Sequence, residues 1–398
     1  MVGRVIISGG SIAGLCAAVA LRRAGWRVDV FERSGVELAG RGAGIVTHPE
    51  LVAALTEIGA QVDDLGVRVT ERVAFDKTGA AIARLPFAQV VTSWDRVHQI
   101  LRALVPDARH HLGGSVTGYT DNGSSVTAHL ADGRDETADL LIGADGFRSA
   151  VRGRMLPEVL PSYSGYVVWR ALAHEADLPM AVREAVFPAF GFYAPAGTQI
   201  IGYPIAGPGN DLRPGQRRYN FVWYSPVPAR QLGDMLVDAT GRRHAVSIPP
   251  PLVRDEIVRR AVEEEAREML PLPFVQILEQ SERPFFTPIY DHASPVMAAG
   301  RVALVGDAAC VARPHVGMGV TKAVCDGLAL TRQLTAHGGD VIAGLAAYSD
   351  ERVPASHKAY ARARELGGYI FDDSIANTDG RGNPRLDEIM RTTAVAVT

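Results

Sequence analysis

Short apolar runs rich in β-branched residues recur along the chain, each breaking off at glycine or at an acid. Val5-Ile6-Ile7 is the first. Its unbroken apolar character predicts a strand covered on both faces, as in a parallel sheet. It gives way to Gly9-Gly10-Ser11-Ile12-Ala13-Gly14. Leu15 to Ala24, rich in alanine and leucine, predicts a helix, which Gly25 ends. Val28 to Phe31 predicts the next strand, with Glu32 at its carboxyl end. Leu140-Leu141-Ile142 and Val302-Ala303-Leu304-Val305 repeat the pattern and run into Asp145 and Asp307. The stretch 165–283 differs. Runs such as Tyr219-Asn220-Phe221-Val222-Trp223-Tyr224 predict antiparallel strands, and Val253 to Met269 predicts a charged helix. Thr321 to Gln333 and Val341 to Leu366 predict two more helices.

Composition narrows the class. The 398 residues are enough for about two domains, and the 47% hydrophobic, 21% charged balance is that of a globular chain. Forty-one basic against 44 acidic side chains give a net charge of -3, so nothing favours a nucleic-acid partner. No apolar run reaches the roughly 18 residues of a membrane span, and a strand from Arg4 leaves no room for a secretory leader. Cys16, Cys310 and Cys325 form no C-x-x-C pair. They predict neither disulfides nor a metal site, and fit reduced core residues of a cytoplasmic protein.

The chemistry starts at the glycine turn. A strand, a glycine turn and a helix amino terminus together suit a pyrophosphate, because the first N–H groups of the helix are unpaired. Glu32 follows Gly14 by 18 residues, close to the spacing of about 20 for an acid that holds an adenosine ribose. Ser11 stands where G-x-G-x-x-G has its second glycine; it is small and its hydroxyl can donate instead. Two later motifs add to this. Gly143-Ala144-Asp145-Gly146-Phe147-Arg148-Ser149-Ala150-Val151-Arg152 and Gly306-Asp307-Ala308-Ala309 each place an aspartate after a strand, where it can accept a sugar hydroxyl. Arg313-Pro314-His315-Val316-Gly317-Met318-Gly319 then forms a turn able to aim backbone N–H groups at a flavin edge.

These motifs resemble those of the single-component FAD-dependent aromatic hydroxylases, the group typified by para-hydroxybenzoate hydroxylase. The similarity runs from Met1 to Leu366. Gly44-Ile45-Val46 followed by Pro49-Glu50-Leu51-Val52, with Gly9-Gly10-Ser11-Ile12 and Arg313-Pro314-His315, is most similar to the dihydroxypyridine-type subgroup. The resemblance implies an α/β fold: a Rossmann-like FAD-binding domain, an inserted, mostly antiparallel substrate domain, and C-terminal helices. The expected division is 1–72, 92–164 and 284–366 for FAD, 73–91 and 165–283 for substrate, and 367–398 as a tail. That tail is either an ordered arm at a dimer interface or mobile.

The resemblance also implies roles. FAD would meet Gly9, Ser11, Ile12, Ala13, Gly14, Glu32, Arg33, Arg41, Gly44, Ile45, Asp145, Gly146 and Asp307, with Pro314, Gly317, Met318 and Gly319 against the isoalloxazine. Trp94 stands where many members carry an FAD-clamping arginine; either Arg96 substitutes from a shifted position or the clamp is absent. NADH or NADPH would reduce the flavin, oxygen would add to give a hydroperoxide, and one oxygen would pass to a small electron-rich aromatic ring. A homodimer is implied on the same basis. His48, Tyr203 and His315 are the catalytic candidates; histidine titrates in the useful range. Arg170, Trp223 and Tyr224 are the substrate candidates, with only one of the last two in the cleft because neighbours on a strand face opposite ways. A halogenase, epoxidase or NAD(P)H oxidase/reductase on the same fold is the alternative, and a non-catalytic flavin-binding protein the third reading.

Overall fold

The computed structural model describes residues 3–38, 44–371 and 383–397. The β-branched runs pair as a six-stranded sheet in the order Ala298–Ala299, Val302–Leu304, Leu140–Gly143, Arg4–Ser8, Arg27–Glu32, His110–Leu112. All but the first of these are parallel. Parallel pairing puts every carboxyl end at one rim, so Glu32, Asp145 and Asp307 arrive there together. Helix Ile12–Arg23 starts three residues before the alanine-rich pattern, because the second half of the glycine turn is already helical. It packs on helix Gly319–Ala336, which extends the predicted 321–333 at both ends.

A nine-stranded sheet stands beside the first. Its order is Cys310–Val311, Phe285–Ala293, Ser162–His174, Arg218–Pro226, Gln199–Ile205, Phe190–Tyr193, Val67–Phe75, Ala81–Ser93, Gly44–Val46. Its one parallel pair joins Phe190–Tyr193 to Val67–Phe75. The expected cuts at 72/73 and 91/92 fall inside strands Val67–Phe75 and Ala81–Ser93, where the two-residue alternation gives no signal of a border. Alternation gives the sheet two apolar faces. Trp169, Phe221 and Trp223 pack under helices that include Leu272–Glu279. Tyr166, Val168, Tyr203, Val222 and Tyr224 face the other way. The charged helix runs Asp255–Met269, with a π-helical stretch over Arg260–Glu265.

Of the expected tail, residues 383–397 are described, and they are ordered. They pack on their own chain, with Ile389, Met390 and Ala394 in the second face's core. Among the described residues no helix is long and apolar enough to cross a membrane.

A buried charge cluster fixes the rim. The Asp326 carboxylate accepts from Gly306 N–H at 2.9 Å, Lys322 Nζ at 3.2 Å and Arg352 Nε at 2.8 Å. Lys322 Nζ also donates to the Gly306 carbonyl at 2.7 Å. Asp326→Ala leaves the Lys322 cation buried beside the turn that presents Asp307. It should cost about 3–5 kcal/mol, read as a lower urea midpoint; a loss within ~0.5 kcal/mol would contradict the role.

Candidate active site

One cavity of about 700 Å³ runs from the glycine turn to the second face of the large sheet. At one end Gly9 turns with φ +109°, and a Cβ there would lie 2.4 Å from the Ala144 carbonyl oxygen. Ser11, Ile12 and Ala13 open the helix at the cavity wall, and the Ser11 side chain makes no capping bond of its own. Gly14 stands behind them, where a Cβ would be 1.9 Å from the Gly9 carbonyl oxygen. The Glu32 carboxylate accepts from Gly10 N–H and Ser34 N–H, both at 2.8 Å, and borders the cavity beside Arg33.

The other two acids differ in how they are held. Asp145 Oδ2 caps helix Ala150–Met155 through Ala150 N–H at 2.8 Å, while Oδ1 is buried without a partner. Asp307 is exposed at the cavity wall, and no described residue donates a hydrogen bond to its side chain. Burial pushes both carboxyls up; for Asp307 the Lys322 cation opposes this. Arg152 ties the two turns, donating to the carbonyls of Phe147 and Ala308 and to His292 Nε2 at 3.0 Å. Two acceptors aimed into one space, beside a helix amino terminus, fit the hydroxyl groups and pyrophosphate of FAD.

Gly44, Ile45, Trp94, Gly146, Pro314, Gly317 and Gly319 also border the cavity. Trp94 stacks on His98 with ring centroids 4.7 Å apart; Arg96 does not reach the wall. Arg41 lies outside the described residues. Met318 turns away, its sulfur accepting from Val397 N–H at 3.1 Å. Arg313 pairs with buried Asp291 at 2.6 Å.

The aromatic end holds Arg170, Tyr203, Tyr224, Ile201 and Val222. Tyr203 stacks on Phe190 at 4.9 Å. Burial pushes both phenols far up, with Arg170 in electrostatic reach of each, so both remain protonated donors. Trp223 belongs to the opposite face, its Nε1 donating to Thr198 Oγ1 at 2.7 Å. Strand alternation removes it from the substrate set and leaves Tyr224.

Neither histidine borders the cavity. His48 Nδ1 pairs with Thr321 Oγ1 at 2.8 Å, and burial lowers its pKa. His315 is fully buried, stacked on Tyr224 at 4.1 Å and paired through Nε2 with the Tyr166 hydroxyl at 3.1 Å. Burial, then the Arg313 cation, push its pKa down to about 3. Both histidines back the wall from one layer behind. Tyr290 and Ala394, which the sequence did not single out, do line it. Tyr290 lies inside strand Phe285–Ala293; nothing in the sequence marks Ala394.

A model described as FAD binding domain-like matches residues 163–291. 2,6-Dihydroxypyridine 3-monooxygenase of Paenarthrobacter nicotinovorans is 32% identical over 369 residues, covering 92% of this chain and 91% of that protein. The chain belongs to the FAD-dependent aromatic hydroxylases. Aurachin C monooxygenase/isomerase of Stigmatella aurantiaca is 30% identical over 91% of this chain and 88% of its own. The solved structure of 2,6-dihydroxypyridine-3-hydroxylase from Arthrobacter nicotinovorans superposes with a TM-score of 0.88 at 30% identity, covering 100% of this chain and 98% of that one. The protein is thus an FAD-dependent, NAD(P)H-using aromatic-ring monooxygenase of mixed α/β fold.

Two outcomes follow from the site. Asp307→Ala removes a carboxylate at the cavity wall that no described residue pairs by hydrogen bond, so the purified variant should lose FAD; a full flavin-to-protein absorbance ratio would remove Asp307 from the site. Unfolded histidine binds a proton as pH falls past its ordinary 6.5, whereas His315 resists until about 3. The unfolded chain binds more protons between these values, so stability falls as pH drops through that window. His315→Phe should flatten the slope in acid denaturation followed by circular dichroism; an unchanged slope would show that His315 is not held neutral.

Proposed function

We propose that this monooxygenase hydroxylates a small ring that already carries hydroxyl groups, a hydroxylated pyridine or a phenol. The observation that carries the reading is the continuity of the cavity, which joins the glycine-turn end to Arg170, Tyr203 and Tyr224 in one space. FAD, when bound, supplies reductive activation of oxygen at the expense of NADH or NADPH and delivery of one oxygen atom to the ring. Arg170, Tyr203 and Tyr224 orient the ring by its oxygens, and Ile201 and Val222 exclude water around it. The cavity's carboxylates Glu32, Asp145 and Asp307 all belong to the parallel-sheet end. Arg170 therefore promotes ionisation of a ring hydroxyl electrostatically, and the ionised ring is the more nucleophilic one. The three free cysteines fit a cytoplasmic setting, which belongs to this proposal, as does a homodimer on the family resemblance alone.

The test is NADH and NADPH oxidation by FAD-loaded protein, with and without 2,6-dihydroxypyridine and a panel of phenols, with products weighed by mass spectrometry. Stimulation with a gain of one oxygen atom is expected; FAD-loaded protein that no ring stimulates would contradict the proposal. With a ring that is hydroxylated, Arg170→Met should raise the pH at which the bound ring ionises by about 1–3 units, seen in the acid limb of kcat.

A further inference from the structure

Arg72 is fully buried, and among the described residues no carboxylate faces it; burial alone lowers its pKa, to about 10. Its partners are carbonyls of the carboxyl-terminal segment. Nη1 donates to Met390 O at 2.5 Å and Thr393 O at 2.7 Å, and Nη2 to Gln89 Oε1 at 3.0 Å and Ala394 O at 3.4 Å. Met390 and Thr393 stand at the end of helix Leu386–Thr392, where unpaired carbonyls and the dipole favour a cation. Packing alone would not retain a guanidinium here, since an apolar side chain would fill the space without the cost of burying a charge.

The held segment is fastened at further points. Gln89 Nε2 donates to Ala394 O at 2.9 Å, and Ala394 N–H donates to His315 O at 2.8 Å. Asn383 Nδ2 donates to Ala194 O at 2.7 Å. Ala394 sits at φ +56°, a backbone region that alanine enters only when its surroundings hold it there. What this secures is a wall. Ala394 borders the cavity, and its Cα stands 3.3 Å from where a Cβ on Gly317 would be. On its other side Arg72 lies over Phe87 at 3.8 Å and 5.3 Å from Phe190, the ring that backs Tyr203.

We infer that Arg72 is a positioning residue that straps residues 383–397 across the Gly317–Gly319 turn, so that Ala394 shields the flavin-ring end of the cavity from water. The inference rests on the reading that the flavin ring lies against that turn. It makes Ala394 a determinant of how large a ring the cavity admits, and Arg72 a determinant of how dry the reaction stays.

The test uses full-length protein carrying FAD, with the wild type confirmed as flavin-loaded first, so that a failed flavin site is recognised separately. Two readouts need no substrate: iodide quenching of flavin fluorescence, and amide hydrogen exchange over residues 383–397. Arg72→Met removes the donors. Ala394→Pro leaves the buried charge in place but loses the N–H and cannot adopt a positive φ, so it decides the matter if Arg72→Met does not fold. Both should exchange faster over the segment and quench several-fold more, and Arg72→Lys should recover most of the protection. Faster exchange with quenching unchanged would overturn the inference, and so would exchange that stays at the wild-type rate.

Discussion

The contact between Gly14 and the Gly9 carbonyl sets the geometry on which the site depends. With a Cβ position only 1.9 Å from that oxygen, nothing larger than glycine lets helix Ile12–Arg23 start directly over the end of strand Arg4–Ser8. That start aims the first-turn N–H groups at the space beyond the parallel strands. The sheet then brings Glu32, Asp145 and Asp307 to the same rim. Arg152 and the Lys322–Asp326–Arg352 cluster lock the turns that carry the last two. Dinucleotide binding is thus a consequence of backbone packing first and of side-chain chemistry second.

The two ends of the cavity differ in chemistry. Its carboxylates gather at the parallel sheet, where hydroxyl and amide donors of a nucleotide can satisfy them. Its far end has a guanidinium and two phenols kept protonated by burial. A polar ring with acidic hydroxyls suits that end, and the apolar sheet face around it supplies the low dielectric in which Arg170 acts strongly. His48 and His315 strengthen the wall instead of offering a base: one is tied to Thr321, the other is locked neutral between Tyr166 and Tyr224.

The parts legible in the sequence were those governed by local rules. The β-branched runs, the glycine turn and the acids at strand ends follow from short-range periodicity and turn chemistry, and the structure places them together. Alternation correctly predicted that Trp223 and Tyr224 part company, and the structure decided which faces the cavity. Long-range association was not legible. Strands Val67–Phe75 and Ala81–Ser93 cross the expected domain borders, because the pairing of the first with Phe190–Tyr193 and of the second with the first leaves no mark in their own pattern. Ala394 reaches the site through bonds to residues 72, 89 and 315, and an alanine near the end of a polar tail carries no sign of that. The histidines misled because residue type suggests chemistry, whereas burial decides protonation.

On the proposed function, flavin and aromatic ring share one continuous cavity. The most direct test is a difference titration of the FAD-loaded protein with hydroxylated pyridines and phenols, following the flavin's visible absorbance alongside calorimetric binding. Any ring that binds is expected to perturb the flavin spectrum saturably, with the same dissociation constant by both methods. A ring that binds by calorimetry and leaves the flavin spectrum untouched would place the aromatic site elsewhere and contradict the shared cavity.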